Sequence, residues 1–166
     1  MKSNAEKSVP VRHDIPPVFD GRSTVLILGS FPSVASREEG FFYAHPQNRF
    51  WKVLSALFLS PLPCTVQEKK TLLLTHGVAL FDVIRRCEIS GSADSSVKNV
   101  IPNDLSPVLS AAHIRRIFVN GKTAEKYYVK YIFPKTLIPC VCLPSPSAAN
   151  ASYSLQRLTE AWKVIL

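Results

Sequence analysis

The sequence lacks any run of about 18 consecutive apolar residues, the shortest stretch that spans a bilayer as a helix. Residues 1–7 carry two lysines and a glutamate and lead into prolines, so the apolar core of a secretory signal is missing as well. The chain also contains no internal repeat and no low-complexity tract. We therefore expect a protein of the cytoplasm, with no membrane partner and with reduced thiols.

Cysteine is scarce, since the chain has four cysteines and only Cys140 and Cys142 lie close together in sequence. They form a Cys-x-Cys within an apolar segment, which is not the spacing of metal ligands. We therefore expect neither a metal site nor a cofactor.

Acidic residues are also few, with 12 Asp and Glu against 20 Lys and Arg, for a net charge of +8 and a pI of about 9.5. An excess of positive charge attracts polyanions at long range, which makes nucleic acid the first partner to consider. Net charge carries no information about fold, so a generically soluble basic protein is the alternative at this point.

The 166 residues are enough for one ordinary domain. Apolar residues make up 46% of the chain and charged residues 19%, which supplies material for a core and excludes global disorder. Residues 1–21 contain three prolines among charges and end at Asp20-Gly21. We predict an irregular lead-in there and a single domain over residues 22–166.

Apolar, β-rich segments alternate with segments of helical period along the predicted domain. Strands are predicted over residues 24–28, 78–84, 114–119 and 136–143, and helices over residues 46–58, 67–75, 105–112, 122–131 and 153–166. The second strand could equally run into a short helix, and the polar residues 90–103 predict a long loop. The alternation predicts an α/β fold, a three-layer sandwich around a central, mostly parallel four-stranded sheet.

The helix predicted over residues 46–58 begins in an unusual polar segment. Pro46 fits the first helical position, and large apolar side chains such as Phe50 and Trp51 then recur at helical spacing. Gln47 and Asn48 are therefore predicted to lie in the first turn of this helix.

In a parallel α/β sheet, ligands bind beyond the carboxyl ends of the strands. The segments that follow the first and fourth predicted strands are both distinctive. The first reads Gly-Ser-Phe-Pro-Ser at residues 29–33 and Tyr-Ala-His-Pro-Gln-Asn-Arg-Phe-Trp at residues 43–51. The second reads Leu-Pro-Ser-Pro-Ser-Ala-Ala-Asn at residues 143–150.

These motifs resemble those of the uracil-DNA glycosylase superfamily, and residues 32–51 resemble the mismatch-specific uracil glycosylases without a gap. Two departures stand out, because that family carries asparagine where this chain has Phe31 and Ser145. An aromatic ring cannot position a water molecule, so the mechanism of those enzymes does not transfer directly.

The motif at residues 29–33, together with Leu-Phe-Asp-Val at residues 80–83, is instead similar to the hypoxanthine-DNA glycosylases. The resemblance implies a uracil-DNA glycosylase-like fold, with residues 22–166 as one glycosylase domain. It also implies a monofunctional enzyme that hydrolyses the N-glycosidic bond of a flipped deaminated base, hypoxanthine preferred, and leaves an abasic site. The implied partner is DNA containing deaminated bases, with the protein a monomer and without an obligate protein partner.

Two alternatives stay open on the residues alone. The first is a uracil or mismatch-uracil DNA glycosylase. The second is a non-catalytic nucleic-acid-binding α/β module in which the pocket persists and the chemistry is lost.

Asn48 and His45 are the predicted catalytic residues. The resemblance places the catalytic asparagine of the hypoxanthine family at Asn48, whose amide could orient the attacking water, whereas the pattern alone favours a helix cap. His45 could donate to the base or the sugar, or it could hold its own loop through a backbone hydrogen bond.

The substrate-binding candidates are Phe31, Ser33, Tyr43 and Ser145. Phe31 and Tyr43 could stack on a flipped base, and ordinary core packing is the alternative. Pro144, Pro146, Ser147, Ala148, Ala149 and Asn150 are predicted to contact DNA, although serine and proline also favour a plain turn.

Charged side chains outside the two motifs supply weaker candidates. Asp94 is a possible ligand of the base edge or the water, with a capping role as the alternative. Candidate phosphate contacts are Arg12, Arg22, Arg37, Lys122, Lys126 and Lys130.

Overall fold

Two β-sheets organise the chain in a computed structural model that describes residues 7–90 and 96–166. The strands of these residues are β1 (Val9–Arg12), β2 (Val25–Gly29), β3 (Val78–Asp82), β4 (Ile84–Ile89), β5 (Lys98–Pro102), β6 (Arg116–Asn120) and β7 (Cys140–Leu143). The α-helices are α1 (Val34–Glu39), α2 (Phe50–Leu57), α3 (Val66–Thr75), α4 (Ser106–Ala111), α5 (Lys122–Tyr127), α6 (Phe133–Thr136) and α7 (Leu155–Trp162).

The larger sheet is parallel throughout, with the strand order β3-β2-β6-β7. Every residue of β2 is buried, because this central strand is continuously apolar and both of its faces are covered. Helices flank the sheet: α3 packs against β3, α5 packs against β6, and α2 packs against α7. The predicted α/β fold around a central four-stranded sheet is confirmed.

The smaller sheet is antiparallel, with the order β1-β4-β5, and it was missed. The prediction of an irregular lead-in is wrong for Val9–Arg12, and the prediction of a loop is wrong for Lys98–Pro102. Both segments contain proline, which argued against strands, but both are edge strands of the sheet and edges tolerate proline. The strand predicted over residues 78–84 contains the whole of β3 and the start of β4, which lie in different sheets, and periodicity alone could not separate them.

The helix predicted over residues 46–58 begins later than predicted. The helix α2 starts at Phe50, and Asn48 lies before it, so the placement of Gln47 and Asn48 in the first turn is wrong. The Asn48 side chain explains the start, because its Oδ1 accepts a hydrogen bond from the Phe50 N–H at 2.9 Å. Asparagine at a helix start competes in this way for backbone donors.

Boundaries near the fourth strand also differ from the prediction. A π-helical turn, Tyr128–Ile132, continues α5 into α6. Leu137 then ends α6 in a left-handed conformation with φ 56°, so residues 136–139 are not part of the strand. No helix in the described ranges is both long enough and apolar enough to cross a membrane.

Candidate active site

A cavity of about 500 Å³ lies at the carboxyl ends of the parallel strands. Gly29, Asp82 and Asn120 contribute to it from the ends of β2, β3 and β6. Residues 30–48 and 145–150 supply most of the remaining lining. The structure brings both sequence motifs to one place, and the predicted catalytic, substrate-binding and DNA-contact residues all line this cavity except Pro144 and Ala148. Of the six candidate phosphate contacts, Arg37 and Lys122 line the cavity and the other four do not.

Asn48 is half-buried in the cavity wall. Its backbone N–H donates to the His45 carbonyl at 3.0 Å, and its Oδ1 receives the Phe50 N–H. A carbonyl oxygen has two lone pairs, so Oδ1 can still accept from a water molecule while the amide NH₂ donates. The side chain is held by the fold and keeps capacity for a ligand.

His45 is exposed at the cavity rim, and its ring is held by the turn in which it lies. Its Nδ1 accepts the Gln47 backbone N–H at 3.1 Å. The proton of a neutral imidazole with an accepting Nδ1 is on Nε2, which is therefore the donor that the ring can offer.

Tyr43 lies deeper in the cavity wall in a left-handed conformation, with φ 52°. One face of its ring stacks on Phe50, with ring centroids 3.9 Å apart, and its hydroxyl accepts a hydrogen bond from the Asn120 amide. Burial, reinforced by the nearby Asp82 charge, raises the pKa of Tyr43 well above its usual value. Tyr43 is therefore a fixed, neutral aromatic wall.

Asp82 is 3% exposed and was not among the predicted site residues. Its Oδ2 makes no hydrogen bond within the described part of the chain, and burial raises the pKa of the carboxyl to about 7. The nearest cationic candidate is the His13 ring, whose Nε2 is 3.8 Å from Oδ2. That nitrogen donates instead to the Ile84 carbonyl at 2.8 Å, and burial lowers the pKa of His13, so the ring is neutral.

Gly29 is required where β2 meets the cavity. A Cβ at this position would lie 2.5 Å from Asp82 Oδ1 and 2.8 Å from the Tyr43 hydroxyl. Real Cβ atoms do not approach other atoms so closely, so any side chain here would displace the carboxyl and the phenol. The hydrogen of glycine allows both polar groups to reach the cavity floor.

Phe31 and Ser33 line the mouth of the cavity. The Phe31 ring makes an edge contact with the His13 ring at 5.4 Å, and the Arg37 guanidinium lies over it at 5.4 Å. Ser33 caps α1, because its Oγ accepts the Ser36 N–H at 3.2 Å.

The loop at residues 144–150, named the DNA-contact loop here for its predicted role, forms another wall of the cavity. Its own polar groups shape it: Ser145 Oγ accepts the Ser147 N–H at 3.2 Å, and the Asn150 amide donates to the Ser145 carbonyl at 3.0 Å. Pro144 lies behind the wall, where its carbonyl accepts the Trp162 indole N–H at 2.9 Å, and Ala148 points to solvent.

Sequence reasoning missed Asp82 and Asn120, and a signal for both was present. Each is the polar residue that closes a buried apolar strand, at the edge of the sheet where ligands bind. Applying that rule to all four strands, rather than to the first and fourth, would have found them. Asp94 lies outside the described residues.

The arrangement suits a planar heterocycle with a polar edge. Tyr43 and Phe31 supply aromatic surface, while Asp82, Asn48 and Asn120 supply acceptors and donors in a partly open cavity. In the chain as described, no group of three or more His, Cys, Asp or Glu side chains is arranged to hold a metal ion.

The chain is similar in sequence to a known family of proteins. The model of the uracil DNA glycosylase superfamily matches residues 16–166. A hypoxanthine DNA glycosylase of Methanosarcina acetivorans is 31% identical over 159 residues, which cover 93% of this chain and 98% of that protein. A hypoxanthine DNA glycosylase of Methanosarcina barkeri is 29% identical over 118 residues, or 70% of this chain and 75% of the relative.

A solved structure shares the same architecture. The solution NMR structure of a protein from Methanosarcina acetivorans, described as a uracil DNA glycosylase, matches with a TM-score of 0.76 at 30% identity. The match covers 95% of this chain and 96% of that one.

Proposed function

Because the chain belongs to the uracil DNA glycosylase superfamily and is a DNA glycosylase, a hydrolase of N-glycosyl bonds, we propose that its preferred substrate is deoxyinosine in DNA. The hypoxanthine base flips into the cavity, and hydrolysis leaves an abasic site. The names of the two Methanosarcina relatives support this choice, as do Phe31 and Ser145, which replace the asparagines of the mismatch-uracil pattern.

The buried Asp82 carboxyl is the observation that carries the proposal. Deamination turns a ring nitrogen with a lone pair into an N–H, so a deaminated base offers a donor where its parent offers an acceptor. A carboxylate accepts hydrogen bonds and cannot donate them. In its ionised form, which increases as the pH rises past its pKa of about 7, the Asp82 carboxyl on the cavity floor therefore favours hypoxanthine over adenine.

A hydrogen bond to Asp82 does not distinguish hypoxanthine from uracil, because both bases carry such an N–H. The cavity of about 500 Å³ has room for the two rings of a purine. Tyr43 and Phe31 offer aromatic surface for stacking, which is worth about 1–3 kcal/mol per base.

Hydrolysis requires a positioned water and stabilisation of the negative charge that develops on the departing base. In the proposed mechanism, the free lone pair of Asn48 Oδ1 orients the water towards the sugar. The Nε2–H of His45 donates to the base or the sugar as the bond breaks. Among the described residues, Lys122 is the lysine that lines the cavity, and it is exposed and pairs with Glu125 at 3.2 Å, so the proposed mechanism uses no covalent lysine intermediate.

The first test uses matched duplexes that carry one deoxyinosine or one deoxyuridine, followed by alkali to cleave abasic sites. We expect breaks mainly at deoxyinosine, and only after alkali.

Asn48→Ala should lower the single-turnover rate by about 100-fold and largely spare DNA binding, because it removes the water-positioning amide. Gln47→Ala, on the exposed neighbouring side chain, is the matched control and should keep the wild-type rate.

Other outcomes of this assay would replace the proposal. Breaks mainly at deoxyuridine would make the protein a uracil glycosylase. Tight binding with no base release from either duplex would leave a non-catalytic module. Breaks without alkali would contradict the monofunctional mechanism, and a full rate for Asn48→Ala would remove its assigned role.

A further inference from the structure

We propose that Arg49 is a positioning residue that sets the shape of the DNA-contact loop and thereby the strength of DNA binding. Arg49 lies between Asn48 and the first residue of α2 and is half-buried. The inference rests on the proposed function in one respect, namely that the loop at residues 144–150 contacts DNA.

The Arg49 guanidinium donates to a ring of backbone carbonyls on the loop and the residues that follow it. Its Nε donates to Pro146 O at 3.3 Å, and its Nη2 donates to Ser147 O at 2.9 Å and to Asn150 O at 3.1 Å. Its Nη1 donates to Tyr153 O. The Arg49 backbone N–H adds a bond to Pro146 O at 3.0 Å.

Arginine is the side chain suited to this task. Its planar guanidinium carries five N–H donors in a fixed fork, so it can hold several carbonyls at set angles. Hydrogen bonds from a charged donor are also about twice as strong as neutral ones. Across the described residues no carboxylate pairs with Arg49, so the carbonyl dipoles of the loop are what balance its charge.

The Trp162 indole anchors the start of the loop at Pro144 O, and the remaining bonds of the loop are local and weaker. They join Ser145, Ser147 and Asn150 to one another or to their neighbours, and they do not attach the loop to the other wall of the cavity. Without Arg49 the loop would sample more conformations, and DNA binding would have to order it. Ordering a loop on binding reduces affinity.

The chemical step should respond much less. Asn48 is held by its own bonds to His45 O and Phe50 N, which do not involve the guanidinium. Loss of the Arg49 fork should therefore weaken DNA binding and leave the rate at saturating enzyme nearly unchanged.

The test compares Arg49→Lys with the wild type on a duplex that carries a stable tetrahydrofuran abasic analogue. Lysine keeps the charge but loses the fork, so we expect the Kd from fluorescence anisotropy to rise about tenfold. The single-turnover rate on deoxyinosine at saturating enzyme should stay within about threefold of the wild type. The slope of log Kd against log salt should not change, because Arg49 binds carbonyls and not phosphates.

Arg157→Lys is the matched control. Arg157 is exposed and also donates to a backbone carbonyl, Ser152 O at 2.7 Å, but it does not line the cavity. We expect the wild-type Kd from this variant. Thermal unfolding of both variants shows whether each is folded. If Arg49→Lys fails to fold, Arg49→Ala is used instead. Added methylguanidinium should restore DNA binding by Arg49→Ala, whereas ethylammonium should not.

An unchanged Kd for folded Arg49→Lys would overturn the inference, whether or not the single-turnover rate falls. A decrease of about one unit in the slope of log Kd against log salt would also overturn it, because Arg49 would then be a phosphate contact. Failure of the proposed function is seen separately. In that case the wild-type protein itself releases no hypoxanthine.

Discussion

The buried Asp82 carboxyl lowers the stability of the folded protein at neutral pH, although the candidate site contains it. Its carboxyl ionises near pH 4 in an unfolded chain, whereas burial raises its pKa to about 7 in the folded protein. The folded state therefore holds the proton more tightly, and stability falls as the pH rises from about 4 to about 7. A perturbed carboxyl in a cleft is typical of a functional site.

Asp82→Asn should remove this penalty. At pH 8 the variant should unfold at a Tm several degrees above that of the wild type, since each unit of pKa shift corresponds to about 1.4 kcal/mol. At pH 5, about one unit above the unfolded-state pKa, only about a third of this penalty has developed, so the Tm difference should be about a third as large. Thermal unfolding at both pH values measures this. A Tm difference of equal size at pH 5 and pH 8 would contradict the assignment.

His13 titrates in the opposite sense and does not obscure that comparison. Its pKa is lowered by burial, so its contribution to stability is lost as the pH falls through the histidine range. His13 is present in both proteins, and the difference between the two Tm values isolates Asp82.

At the same scale, the sequence indicated roles for Asn48 and Tyr43 but none for Asp82 and Gly29, although all four residues lie in recognisable motifs. Asn48 and Tyr43 were found because they stand in a run of unusual residues after a strand. Asp82 and Gly29 act through a close approach between neighbouring strands, which depends on the strand order. Strand order is a tertiary property that one sequence does not display.

At the scale of elements, α7 and the DNA-contact loop are joined by one side chain. Trp162 is fully buried, contacts the Phe50 ring edge-on at 5.7 Å and donates its indole N–H to Pro144 O. The last helix thereby holds both the start of α2 and the start of the loop. Its position affects two walls of the cavity.

Trp162→Phe should destabilise the protein by about 1–3 kcal/mol, because it keeps an aromatic ring but leaves the Pro144 carbonyl without its donor. Urea unfolding gives the free energy. Leu155→Ala, on the same helix but 40% exposed, is the control and should change it by less than about 1 kcal/mol. Equal effects from the two substitutions would show that the indole bond contributes little.

Elements were predictable where the sequence pattern was strong. The strands of the parallel sheet are apolar on both faces, and α3 has a capping box at Thr65 and Glu68 that marks its start. The antiparallel sheet was not predictable in this way. The strands β1 and β5 are mostly exposed edges with proline, and their identity depends on pairing with β4.

The whole molecule carries a net charge of +8, which bears on how it meets DNA. Each phosphate contact releases bound counterions, so log affinity should fall linearly with log salt, with a slope of about −0.9 per contact. With three or more contacts, binding to an undamaged duplex should weaken by more than about 30-fold between 50 and 200 mM salt. Anisotropy titrations measure the slope.

Lys122→Ala tests whether Lys122 is one of these phosphate contacts. Lys122 lines the cavity rim, and its loss should reduce the slope by about one unit. Lys52→Ala, which removes an exposed lysine of α2 outside the cavity lining, should leave the slope unchanged. A flat salt response in the wild type would argue against DNA as the natural partner.

The cavity is assembled from positions far apart in the chain, from Gly29 to Asn150. Its floor requires three parallel strands in register, and parallel pairing closes long stretches of chain before it gains any contacts. Helices such as α3 can form from local interactions well before that closure is complete. During refolding, base-release activity should therefore recover later than the helical circular dichroism signal. The recovery of activity then measures the last stage of folding.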